Sequence, residues 1–501
     1  MLLGDRDNGD VASRARYPAL HLGLGHAQHR VVCRPDDPLT LAQNRTAMTD
    51  FDLVSIGGGA GGLAAARAAA VAGKRAALVT DSPIGGDCTW TGCVPSKTLI
   101  SAAAQGLDFT AAMRRVRETI RSVAATEGAD VLEAEGVTVI AGRSRLLGGG
   151  GMDIDGRTVS ADNIVLATGA RPGIPLIPGL QDVSYLTNEN VWDLEDAPAR
   201  LGVVGGGAIG CELTQAMARL GVEVTQFEVM DRLMSGEEPE ASDVVRRVFE
   251  AEGISVRLGR SVASARSIGA DGRAVLDAGG DDVEVDKVLV AAGRVPRTQD
   301  MGLETAGVEL TERGYIKVND RFATTAKGVW AVGDVTGVLA FTHAANEQGM
   351  LVGRRASGVR MTWKFDPSRV PWATFTSPEV ARVGVLEADA PRGSMVAYLP
   401  MTEHDRAIAE DRTDGFIKLI AAPRRVLRNV AGGRIVGATI VGERAGEMIH
   451  GPALAMLTNS FTGRLAQLTH AYPTWSFGIQ KCAGQFFQGI EGRKARPAQR
   501  G

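Results

Sequence analysis

Two cysteines five positions apart stand in the run Gly85-Gly86-Asp87-Cys88-Thr89-Trp90-Thr91-Gly92-Cys93-Val94-Pro95-Ser96-Lys97. Neighbouring thiols can exchange a disulfide, hold a soft metal, or lie inert in a core. In a regular helix their Cα atoms would sit roughly 8.6 Å apart, beyond the roughly 7 Å that a disulfide tolerates. A bridge therefore needs a departure from helix geometry, and Gly92 makes one easier. No Cys or His cluster nearby completes a metal set. Redox, structural and metal readings all stand at this stage.

Two glycine turns frame the pair. Gly57-x-Gly59-x-x-Gly62 follows the β-branched run Phe51–Ile56, and Gly205-x-Gly207-x-x-Gly210 follows Leu201–Val204. Each precedes a helix-forming stretch (64–72 and 211–220), and each helix leads to a second strand, Ala76–Thr80 and Val222–Glu228. The first glycine permits the turn, the second lets backbone amides approach a pyrophosphate, and the third lets helix pack on strand. The helix N-terminus adds partial positive charge. One such match is weak; two in matching contexts predict two dinucleotide sites. An acidic residue near the end of the second strand would hold ribose hydroxyls. In the second unit that is Glu228, which favours NADH over NADPH by repelling a 2′-phosphate, with Arg232 close enough in sequence to soften the preference. In the first unit the spacing lands on Thr80, with Asp81 beside it as either a ribose ligand or a turn residue.

The 501 residues predict several domains. Hydrophobic residues at 44% and charged residues at 23% give a globular balance. A formal charge of -3 offers no electrostatic reason for a nucleic-acid partner. No apolar run is long enough for a membrane helix, so no membrane partner is expected. Five scattered cysteines argue against a secreted disulfide framework and for a reducing, cytoplasmic setting. The first residues carry no signal-peptide pattern, and Asp5, Asp7, Asp10, Asp36 and Asp37 speak against a transit peptide.

Cys-x4-Cys-x2-Pro-x-Lys after a nucleotide cradle resembles the pyridine nucleotide–disulfide oxidoreductases, which include dihydrolipoamide dehydrogenase, glutathione reductase and mercuric reductase. The resemblance spans about residues 50 to 485 and includes Ala167-Thr168-Gly169, Ala292-Gly293-Arg294, Val332-Gly333-Asp334 and Thr374-Phe375-Thr376-x-Pro378-Glu379. It implies an α/β architecture: two Rossmann-like domains, for FAD and NAD(P), plus a C-terminal α+β dimerisation domain. It also implies a homodimer acting on a small-molecule, thiol or metal-thiolate substrate. Gly57, Gly59, Gly62, Asp81, Lys97, Thr168, Gly169 and Asp334 would serve FAD; Gly205, Gly207, Gly210, Glu228 and Gly293 would serve NAD(P)H. Cys88 would be the interchange thiol and Cys93 the thiolate facing the flavin, with Lys97 paired to Glu212. Cys211 matches no redox position and reads as core. No resident metal is expected.

The pattern breaks near the C-terminus. Lipoamide and glutathione enzymes carry a His-Pro motif there, with a glutamate five residues on. Here the stretch is His470-Ala471-Tyr472-Pro473-Thr474-Trp475-Ser476-Phe477, so Tyr472 and Phe477 hold those positions. A phenol of pKa about 10 is only about a thousandth ionised at pH 7. The resemblance implies that Tyr472 would act across the dimer. The mercuric branch also lacks this histidine; Tyr185 resembles a tyrosine near its metal site, but only Cys482 stands near the end, where that branch has two adjacent cysteines. A mercuric-reductase-like enzyme is therefore expected, with dihydrolipoamide dehydrogenase and a flavin NAD(P)H oxidase or quinone reductase as rivals. The expected divisions are a mobile extension at 1–49, an FAD domain at 50–190 and 301–366, an NAD(P) domain at 191–300, an interface domain at 367–488, and a frayed tail at 489–501.

Overall fold

In the computed structural model, residues 49–499 are described except 269–272, 425, 427 and 428. The expected mobile extension, apart from Thr49, lies outside the described residues.

Strand β1 (Phe51–Ile56), helix α1 (Ala60–Val71) and strand β2 (Ala76–Thr80) form the first unit. β1 lies in a parallel sheet between β2 and Arg157–Leu166; Val137–Ala141 extends it beyond β2, and the returning strand Val329–Ala331 pairs with Arg157–Leu166. Both faces of such a sheet are covered, which explains why Val54, Leu78, Val79, Val165 and Leu166 are fully buried. Helix Thr342–Ala356 packs along α1, so the late return of the chain closes the first domain.

A second parallel sheet orders Ser255–Leu258, Glu223–Glu228, Arg200–Val204, Lys287–Val290 and Tyr185–Leu186. Helix Ala208–Arg219 follows its glycine turn. The C-terminal sheet is antiparallel, running Trp372–Thr374, Glu379–Gly384, Arg434–Gly442, Phe416–Ala422, Met395–Pro400 and Arg496–Pro497. Helices within 445–484 contribute Met448, Ala455, Leu465 and Ile479 to the same apolar core as this sheet.

The tail departs from expectation. Instead of fraying, Arg496 and Pro497 add a strand to the C-terminal sheet, and Arg496 grips the Glu387 carboxylate with two nitrogens. Lys418, 1% exposed, lies at 3.0 Å from Glu387, 3.2 Å from Glu238 and 2.6 Å from Glu240. A tail expected to fray thus completes the charge cluster around Lys418.

Candidate functional site

The cysteine run is helical, but in two pieces. Helix α2 (Gly86–Trp90) ends at Thr91, and helix α3 (Cys93–Ala104) begins two residues later. Gly92 allows the break through close approach: a Cβ there would lie 2.8 Å from the Asp87 carbonyl oxygen. The Thr91 carbonyl is not left orphaned, since the Asn188 amide (3.4 Å) and the Trp192 indole N–H (3.2 Å) both donate to it. The interruption brings the two sulfurs within hydrogen-bonding reach, with both thiols free.

The thiols are electrostatically unequal. The Cys88 thiol, hydrogen-bonded to the Cys93 sulfur, draws Cys93 down to about 6 against the partial desolvation of a side chain that is nevertheless exposed, helped by the Thr342 hydroxyl and Lys97. Cys88 is pushed up, first by that same hydrogen bond and then by burial. Of the two thiols Cys93 is thus the more acidic. Thr342 Oγ1 lies 3.4 Å from the Cys93 sulfur. Lys97 on α3 reaches the Glu212 carboxylate at 2.9 and 3.1 Å, and the same carboxylate accepts from the Phe375 backbone N–H at 2.9 Å. Three parts of the chain converge on one ion pair.

Around the thiols lies a 1340 Å³ cavity, lined by Gly57, Gly59, Asp81, Asp87, Cys88, Cys93, Lys97, Thr168, Gly169, Gly207, Glu212, Gly293, Arg294 and Asp334. The first cradle suits a pyrophosphate. Gly57 has φ +113 and a Cβ there would sit 2.3 Å from the Ala167 carbonyl oxygen, while Gly59 faces nothing within 4 Å. Gly205 repeats this conformation at φ +118, with Gly207 likewise open. The residues therefore fit two dinucleotides. Glu228 is fixed by two backbone donors, the N–H groups of Gly206 and Met230. Arg232 is committed to the Ser235 carbonyl at 2.7 Å. Asp81 accepts from its neighbour Ser82 at 2.9 Å, and Thr168 donates to the Arg297 carbonyl at 2.7 Å.

Asp87 and Arg294 line the cavity, although the motif reading quoted both without giving either a role. The Arg294 guanidinium bonds Asp87, reaches the Ala170 carbonyl at 2.9 Å, and lies 3.5 Å from Asp334. Burial pushes the Asp334 carboxyl up while Arg294 pulls it down. Asp87 sits between the glycines and Cys88, which was its available signal. Thr342, 249 residues from Cys93, carried none.

Other expected residues lie apart. Tyr472 is 65% exposed, donates to Asp405 at 3.0 Å, and is absent from the cavity lining of its own chain. That bond raises its pKa further. His470 points its Nδ1 at the Leu468 carbonyl, 2.9 Å away. Tyr185 packs against the core of the second sheet rather than lining the cavity. Cys482 is fully buried against the Ile417 carbonyl. Cys211 is fully buried beneath the second cradle, its thiol pushed up to about 12 by burial. Among the described residues, no group of three or more His, Cys, Asp or Glu is arranged to hold a metal ion. No helix among them is long and apolar enough to cross a membrane.

Two nucleotide cradles opening on one asymmetric dithiol define a flavin- and pyridine-nucleotide-linked thiol redox enzyme. The sequence profile of the pyridine nucleotide-disulphide oxidoreductases matches residues 51–349, and that family's dimerisation domain matches 370–482. The chain belongs to this family and is an FAD-dependent pyridine nucleotide-disulfide oxidoreductase. It is 32% identical to a dihydrolipoyl dehydrogenase of Thermus scotoductus, over 87% of this chain and 97% of the relative. It is 30% identical to a mercuric reductase of Staphylococcus aureus, over 87% of this chain and 82% of the relative. Its fold superposes on a Cu(II) complex of the HOCl-induced flavoprotein disulfide reductase RclA from Escherichia coli with a TM-score of 0.79. That match has 27% identity and covers 87% of this chain and 99% of that one.

Proposed function

We propose that the chain takes electrons from NADH and delivers them, through FAD and the Cys88–Cys93 pair, to a thiophilic metal ion presented as a thiolate complex, in the manner of a mercuric reductase. The observation that carries this reading is Tyr472 at the position of the acid–base histidine. A positioned acid or base is worth roughly 10²–10⁴ in rate, and dithiol–disulfide exchange depends on one. A phenol tied to Asp405, with Phe477 beside it, is poorly suited to shuttle protons at neutral pH. A metal ion needs ligands and electrons instead, and thiolates supply the ligands. The balance is one hydride, two electrons: NADH and one Hg(II) become NAD+, a proton and Hg(0), or NADH and two Cu(II) become NAD+, a proton and two Cu(I), and the thiolates are regenerated. Bound FAD would accept the hydride's electron pair. Cys93 would lie against it as thiolate, and Cys88 would meet the incoming complex. The Cu(II) held by the RclA relative supports a metal substrate. Buried Cys482 marks a difference from a route in which C-terminal cysteines hand over the ion.

The test is NADH consumption by holoenzyme in thiol-containing buffer, with and without Hg(II) or Cu(II). Metal-dependent turnover that disappears in Cys93→Ser is expected; unchanged turnover in that variant would point to a flavin oxidase or quinone reductase. The dihydrolipoyl dehydrogenase relative favours a second reading, and rapid oxidation of dihydrolipoamide would establish it. The anchored Glu228 carboxylate supports NADH over NADPH, expected as a preference of about 10² in kcat/KM, or about 2.7 kcal/mol.

A further inference from the structure

The hydroxyl that touches the Cys93 sulfur belongs to the first residue of helix Thr342–Ala356, and this helix start is held from outside the FAD domain. Phe341, immediately before it, lies in a column of flat groups. The His343 imidazole stacks on the Phe341 ring at 5.6 Å and 16°, and Phe341 stacks on the Trp372 indole at 5.5 Å and 18°. The Arg382 guanidinium lies over the Trp372 ring, 4.3 Å from the indole centroid. Trp372 and Arg382 are cross-strand partners in the C-terminal sheet. Both are clamped by one buried carboxylate, Glu237: the indole N–H donates to it at 2.8 Å and the guanidinium at 2.7 Å. The His343 ring nitrogen Nε2 meets the Pro371 carbonyl at 2.7 Å, so Phe341 and His343, which flank Thr342, both meet the same short segment.

Phe341 has extended backbone (φ -131, ψ 143), and its side chain makes no capping bond to the helix. Its ring position therefore rests on packing, to which Trp372 contributes a stacked ring. The other groups acting on the Cys93 sulfur are the Cys88 thiol, Lys97 and Glu212. Lys97 has its own anchor in Glu212. The hydroxyl alone depends on the column.

We propose that Trp372 is a positioning residue for the redox thiolate: clamped by Glu237 and Arg382, it seats Phe341 and thereby holds the Thr342 hydroxyl against the Cys93 sulfur. The inference rests on Cys93 facing the flavin, as stated under Proposed function. It goes further by making the geometry of that sulfur depend on a residue of the C-terminal sheet and a carboxylate of the NAD(P) domain.

The experiment uses FAD-loaded Cys88→Ser protein, in which Cys93 is left without a disulfide partner, and records the long-wavelength thiolate-to-flavin absorption at pH 8. Adding Trp372→Leu is expected to reduce that band by about half or to shift its maximum, whereas Trp372→Phe retains most of it by keeping a stacked ring. In a Thr342→Val background, Trp372→Leu should change the band little further, because both substitutions remove the same contact. Phe341→Leu, which removes the middle ring, is expected to reproduce the loss and serves if Trp372→Leu folds poorly. An unchanged band in Trp372→Leu or in Phe341→Leu would overturn the proposal. So would a loss equally large with and without the Thr342 hydroxyl. Absence of any band in the Cys88→Ser parent would instead overturn the placement of Cys93 against the flavin, a failure distinct from an unshifted band.

Discussion

Two lysine–carboxylate clusters join the region of the second parallel sheet to its neighbours, and they are built differently. Lys418 is 1% exposed and faces three carboxylates, Glu238, Glu240 and Glu387, with Arg496 closing the remaining side. Lys97 has a single carboxylate, Glu212, and keeps a third of its side chain open to the nucleotide cavity, over the Phe375 ring. In the first, every charge is spent on other protein charges, so it can only hold parts together. In the second, one cation is held in place yet faces the cavity beside a thiolate. An ion pair becomes chemically useful when its fixing and its exposure are separated.

Breaking each cluster should sharpen the contrast. The largest expected effect comes from Lys418→Met, which leaves buried carboxylates without their common partner. Removing one member of a buried ion pair costs about 3–5 kcal/mol, and roughly 5–10 °C in thermal midpoint is expected, read by calorimetry of the holoenzyme. The thiolate-to-flavin band should survive in whatever remains folded. Lys97→Met should do the reverse. Cys93, drawn down to about 6, is thiolate above that pH and is protonated as pH falls through it. Without Lys97 the midpoint should rise by about one pH unit, or about 1.4 kcal/mol, in a pH titration of the band, with a smaller fall in thermal midpoint than in Lys418→Met because only one buried carboxylate, Glu212, loses its cation. A large stability loss in Lys97→Met, or a moved titration in Lys418→Met, would dissolve the distinction.

Smaller effects follow from the tail and the nearby thiol. Burial pushes the Glu387 carboxyl up, but Arg496, the Gln499 N–H and Lys418 outweigh it and hold it at about 2. A depressed carboxyl contributes stability above its unfolded pKa of about 4.5 and loses it as pH falls through about 2. The tail should therefore stay protected from hydrogen exchange at pH 4 in the wild type and open at pH 7 in Arg496→Met. The smallest change is expected for Cys482→Ser, which keeps the partner carbonyl of Ile417. Its redox behaviour should match the wild type, with a stability loss of about 1 kcal/mol by thermal unfolding.

Both cradles were legible because a pyrophosphate turn constrains a handful of consecutive residues: Gly57 and Gly205 adopt a backbone that other residues resist. The dithiol was legible as a spacing, and the helix break at Gly92 supplied the departure from regular geometry that the spacing demanded. The tail was misread because Arg496 looks solvated until Glu387 is placed opposite it, 109 residues away. Asp87 was legible only as a neighbour of Cys88; its partner Arg294 lies 207 residues on.

The amino-acid order by itself determined the two nucleotide units, the reactive pair and the missing histidine, since each is written in residues close along the chain. Only the tertiary structure decided which of the two thiols is the more acidic, which carboxylates hold which lysines, and that Trp372 and Thr342 line one cavity. Electrostatic and packing energies depend on distances through space, and here they join side chains as far apart in the chain as Lys97 and Glu212, 115 residues, and Cys93 and Thr342, 249 residues.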